Sequence, residues 1–61
     1  MKNYKVTFVV FHEGDKKEYR TIIVEAGTKK MATLRAMRKI NDDYPEIANL
    51  YKSVKSVEEA A

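Results

Sequence analysis

The chain has no cysteine, one histidine, one proline and two glycines in 61 residues. Without cysteine no disulfide can staple the fold and no thiolate can hold a metal, and the absence fits a reducing compartment. One histidine among scattered carboxylates lacks the ligand spacing of a metal site. Gly14 and Gly27 stand alone, so there is no glycine-rich phosphate loop, no nucleophile elbow and no zinc signature. No cofactor and no enzyme class is supported. The longest apolar run is the four residues Phe8, Val9, Val10 and Phe11, far too short to cross a bilayer. Met1-Lys2-Asn3 leads straight into a strand pattern, with no apolar stretch of signal-peptide length. The reading is a soluble, cytoplasmic protein with no membrane contact.

Sixty-one residues make a single small domain spanning 1–61. A chain this short buries only roughly 60% of the surface its unfolded form exposes, so its core is thin. Association with a second copy is the remaining common way to enlarge it. The net charge is +3, from 12 basic and 9 acidic residues. That balance permits nucleic-acid contact without requiring it.

The richest pattern lies in the opening third. Tyr4-Lys5-Val6-Thr7-Phe8-Val9-Val10-Phe11 and Tyr19-Arg20-Thr21-Ile22-Ile23-Val24 flank a turn around Gly14-Asp15. Aromatic and β-branched runs split by Gly-Asp predict a hairpin. A two-residue loop would pair Glu13 with Lys16, and a three-residue loop, Gly14 to Lys16, would pair Glu13 with Lys17. The second is preferred, because it gathers Val6, Phe8, Val10, Ile22 and Val24 on one core face. The opposite face then carries Val9, Phe11, Tyr19, Thr21 and Ile23. A hairpin with one wet face should alternate apolar and polar residues, and this one does not.

Thr28 is placed to cap a helix over residues 29–42. Thr33, Leu34, Ala36, Met37, Ile40 and Tyr44 fall in one arc of it, with Arg35, Arg38 and Lys39 opposite, around Met31. Tyr44-Pro45 ends the helix. Pro45 to Tyr51 reads as a short helical turn capped by Asp43, and Tyr51 to Val57 as a third strand. Alternatively Ile47, Leu50, Tyr51, Val54 and Val57 continue as a second helix, giving a hairpin plus two helices. The strand is preferred, since an isolated hairpin is marginal. Residues 58–61 read as a frayed tail. The expected fold is α+β, β-β-α-β, with an antiparallel sheet of order 2-1-3 and the helix on one face.

Two surfaces stand out. Val9, Phe11, Tyr19 and Ile23 would form an apolar, aromatic patch on the bare side of a two-layer fold, the composition of an interface core. Lys29, Lys30, Arg35, Arg38 and Lys39 lie within eleven residues with no acid among them. Such a helix face could follow a phosphate backbone or steer an acidic partner. His12, at the hairpin tip, has no held nucleophile or acid and reads as an exposed edge residue. Asp42 and Asp43 stand four residues after Arg38 and Lys39, the spacing of surface ion pairs.

The hairpin pattern, Tyr4-x-Val6-Thr7-Phe8-Val9-Val10, Gly14-Asp15-Lys16 and Tyr19, with Glu46-Ile47-x-x-Leu50 before the last strand, resembles small β-β-α-β proteins of tailed phages. More narrowly, it is similar to the dimeric uracil-DNA glycosylase inhibitors of small podophages. That resemblance implies a homodimer that mimics DNA with acidic side chains and an apolar pocket. The helix departs from it, carrying Arg35, Arg38 and Lys39 where acidic and aromatic residues are wanted, and +3 is a poor phosphate mimic. The fold and the dimer carry over as expectations; no functional residue does. The expected function is a non-catalytic interaction module, a phage or mobile-element homodimer that binds and modulates a host protein in the host cytoplasm. A nucleic-acid-binding protein using the basic helix is the alternative, and a glycosylase inhibitor a further one.

Overall fold

Two eleven-residue strands, β1 (Lys2–His12) and β2 (Lys16–Ala26), pair antiparallel along their whole length. In this computed structural model, which describes residues 1–60, a helix α1 (Lys29–Asp43), a 3₁₀ turn (Pro45–Ile47) and a third strand β3 (Lys52–Glu59) follow. β3 pairs antiparallel with β1, giving the order β2-β1-β3 with the helix against one face. This is the α+β, β-β-α-β fold that the sequence pattern favours, and the strand at 52–59 removes the two-helix alternative.

The hairpin register differs from the expected one by two residues. His12 pairs with Lys16 and Val6 with Ile22, so the loop is Glu13-Gly14-Asp15. Gly14 (φ 76°) and Asp15 (φ 61°) both take left-handed backbone conformations, which reverse the chain early. Glycine does so without a steric cost, and aspartate tolerates it better than most residues. A shift of two leaves every side chain on its expected face, so hydrophobic alternation alone cannot distinguish the two registers.

The helix-side face of the sheet supplies Tyr4, Val6, Phe8, Val10, Ile22, Val24 and Ala26 to the core. The helix supplies Ala32, Ala36 and Ile40, and the turn supplies Ile47. The helix is therefore rotated from the expected arc: Ala32 is buried, and Leu34 is 59% exposed beside Met31. Ala32 and Ala36 let the helix approach the sheet closely, and they share one buried cluster with Tyr4 and Phe8. Leu34 lies too far round the cylinder to reach that face.

Thr28 Oγ1 accepts from Met31 N–H at 3.2 Å, the expected cap. Tyr44, not Asp43, precedes the 3₁₀ turn, and it makes no side-chain cap. Strands of eleven residues are about 37 Å long and the helix about 22 Å, which accounts for the 39 Å long axis. The hairpin thus runs past the helix. Its helix-side face is closed there by Arg20, whose guanidinium stacks on Tyr44 at 4.5 Å.

β3 carries a bulge. Thr7 pairs with Ser56 but Phe8 with Val54, leaving Lys55 as the extra residue. Glu58 and Glu59, expected in a frayed tail, belong to the strand, and Ala60 N–H donates to the Asn3 carbonyl at 2.8 Å. Eleven-residue β1 is long enough to pair them. Ala61, the end of that expected tail, lies outside the described residues.

Candidate functional site

Among the described residues, no other element covers the side of the sheet away from the helix. Period-2 alternation sends Val9 and Phe11 of β1 and Tyr19 and Ile23 of β2 to this face. Val9 pairs directly with Tyr19, and both Val9 and Phe11 are half-buried. Tyr19 is 58% exposed and Ile23 47%. Thr7 and Thr21, paired between them, share a hydroxyl hydrogen bond at 3.2 Å. The four residues singled out from the sequence therefore share one face.

Three further residues belong to this face. Tyr51 is 73% exposed, and its ring lies 5.5 Å from that of Phe11, tilted by 37°. Phe11 N–H donates to the Tyr51 carbonyl at 3.0 Å, which fixes that neighbour. Lys17 Nζ sits 5.6 Å from the Phe11 ring centroid, and Lys55 Nζ 4.6 Å from that of Tyr19. The bulge aims Lys55 across β1, so its stem overlies the sheet. The sequence signal for Tyr51 is its place just before β3, and the register needed to use it depends on the bulge.

This face presents two tyrosine rings, a phenylalanine and an isoleucine, with ammonium groups over two of the rings. Such a cation is attracted to the ring face and leaves the ring edge exposed. Large aromatic side chains bearing one polar atom suit a surface that is wet when alone and buried when bound.

The basic helix residues divide. Arg35 Nη1 donates to the Glu25 carbonyl at 2.8 Å, and Lys39 Nζ to the Ile23 carbonyl at 3.4 Å. Both are engaged with the outer edge of β2. Lys29, Lys30 and Arg38 are exposed, and their side chains make no ion pair among the described residues. Lys39 therefore does not join Asp43, nor Arg38 Asp42. Arg35, Arg38 and Lys39 together border one open depression on the helix, with Met31, Leu34, Asp42 and Asp43.

A third cluster closes the hairpin end. His12 Nε2 meets Glu18 Oε1, Arg20 Nε donates to Glu18 Oε2 at 2.9 Å, and Arg20 Nη1 lies 3.7 Å from Glu46 Oε2. The Arg20 hydrogen bond, then that of His12, holds the Glu18 carboxyl below the usual carboxylate range. Glu18 in turn raises Arg20 above its already high value. The charged forms of Glu18 and Arg20 are thus mutually favoured here. Among the described residues no group of three His, Asp or Glu side chains is placed to hold a metal. Among the described residues no helix is long and apolar enough to cross a membrane.

Compared with known proteins, the chain matches no family model, no curated protein and no solved structure.

Proposed function

We propose that the chain is a non-catalytic interaction module, a homodimer that docks an acidic surface of a partner protein on the outer face of its sheet. The observation that supports this most is the arrangement of Phe11, Tyr19, Ile23 and Tyr51 on one uncovered face, flanked by Lys17 and Lys55. Aromatic side chains and cations in that mixture are enriched where protein interfaces concentrate their energy. The lysines favour carboxylates at the rim of the partner and speed encounter with it. Within the same reading the chain is a phage or mobile-element product that modulates a host protein, as its resemblance implies.

The test compares immobilised wild-type protein with Phe11→Asp, which alters the centre of the face and leaves the core untouched. The wild type retains a discrete acidic protein, the variant does not, and both show the same circular dichroism. Retention survives an excess of single-stranded oligonucleotide. Equal retention by the variant overturns the proposal. Displacement by the oligonucleotide would instead assign the aromatic face to base stacking.

A further inference from the structure

We infer that two copies of this chain join through the open edge of β3, in antiparallel register about a two-fold axis between Lys55 and Ser56, forming one six-stranded sheet. This rests on the homodimer reading above and specifies which surface makes it.

The two sheet edges are unlike. Arg35 and Lys39 occupy the outward carbonyls of Glu25 and Ile23 on β2. A side chain bonded to an edge carbonyl blocks the approach of another strand there. On the β1–β3 side, Phe11 N–H donates to Tyr51 and Ala60 N–H donates to Asn3. Odd-numbered residues of β1 therefore direct their backbone groups at β3. Backbone direction alternates along an antiparallel ladder, so Ser53, Ser56 and Glu58 point back at β1. Lys52, Val54, Val57 and Glu59 then direct their N–H and C=O groups outward. No hydrogen bond to these outward groups is seen among the described residues.

The bulge makes this edge selective. Outward residues on a regular strand are two apart, whereas Val54 and Val57 are three apart because of the extra Lys55. A regular strand cannot match that spacing, and a second copy run antiparallel can. Lys52 then faces Glu59 of the second copy, and Val54 faces its Val57. Every outward backbone group meets an outward backbone group.

The side chains agree with this register. Lys52 opposes a carboxylate, Val54 an apolar partner, Ser53 the acceptor Glu58 and Lys55 the neutral Ser56. Sliding by one residue sets Lys55 against the Lys55 of the second copy and breaks the backbone match. Opposite charges directly across strands stabilise, and like charges destabilise. Lys52 Nζ already donates to the Ala48 and Leu50 carbonyls at 3.3 and 2.9 Å, which places its charge, and an ammonium has a third N–H to give.

The pairing also completes the core. The helix packs mainly on β2, and Leu50, Val54 and Val57 on the β3 side are only partly buried. A two-fold axis normal to the sheet puts both helices on one side, above these residues. The two outer faces become one continuous surface.

The test is solution mass by light scattering over a concentration series for wild type, Lys52→Glu, Glu59→Lys and the double variant. The wild type is a dimer. Each single variant raises the dissociation constant about tenfold, since both symmetric pairs become like-charged, and the double variant restores dimerisation. Circular dichroism at low concentration checks that each monomer is folded. A monomeric wild type overturns the inference, as does a double variant no better than the singles. A dimer indifferent to Glu59→Lys but broken by Phe11→Asp also overturns it, placing self-association on the outer face instead.

Discussion

Arg35 Nη1 reaches from the helix to the Glu25 carbonyl at 2.8 Å, so a residue that stands out in the sequence for its charge also covers a sheet edge. Four residues on, Lys39 does the same at Ile23, at the longer distance of 3.4 Å. Residues i and i+4 of a helix lie on one face, and outward carbonyls of a strand recur every second residue. The two periods of about 6 Å and 7 Å are close enough for the pair to span both sites.

Arg35→Ala is therefore expected to lower stability by about 1 kcal/mol, the size of a hydrogen bond to a charged group in a wet setting. Lys39→Ala should cost less. The larger effect is colloidal: the double variant exposes the β2 edge and aggregates at concentrations where the wild type stays clear. Urea unfolding and turbidity measure the two effects separately.

The rotation of the helix gives a paired test. Ala36→Leu inserts three carbons beneath a helix already seated on the sheet and should cost about 1–3 kcal/mol. Leu34→Ala removes the same three carbons from an exposed position and should change stability by no more than about 0.5 kcal/mol. If Leu34 faced the core, its truncation would instead cost about 2–5 kcal/mol.

At the hairpin tip, Asp15 has φ 61°. Asp15→Val forces a branched side chain into the left-handed region, at about 1–2 kcal/mol. Asp15→Gly should be nearly neutral. Equal stabilities of the two variants would contradict the left-handed backbone at Asp15.

Glu18 supplies a pH dependence. Its folded-state pKa is lowered, first by the Arg20 hydrogen bond and then by that of His12. A carboxyl lowered on folding stabilises the protein above its unfolded pKa, and the contribution is lost as pH falls through the folded value. Glu18→Gln should thus be less stable than wild type at neutral pH, with the gap closing below the carboxylate range. Thermal unfolding across an acid series reads this difference, and a constant gap would contradict it.

Much of this fold is legible in the sequence because strands encode their faces with period 2. Val6, Phe8, Val10, Ile22 and Val24 could not share a core face without sending Val9, Phe11, Tyr19 and Ile23 to the other. The register was hidden because sliding by two residues preserves that division, and the backbone geometry of Gly14 and Asp15 decides it. The helix rotation was hidden because apolar periodicity weights Leu34 above Ala32, whereas close packing on a sheet that holds Phe8 selects the smaller residue. The roles of Arg35 and Lys39 depend on where the β2 edge ends up, and the contribution of Tyr51 to the outer face depends on a bulge. Both are tertiary facts with no local pattern. Glu58 and Glu59 have low strand propensity and are held in β3 by the length of β1.

Docking of a partner on the outer sheet face is read out by a photo-cross-linking side chain placed at Tyr19 and, separately, at Leu34. A discrete cross-linked heterocomplex is expected from position 19, lost when Phe11→Asp is added, and none from position 34. Cross-linking from position 34 alone would contradict it and move the docking surface to the helix.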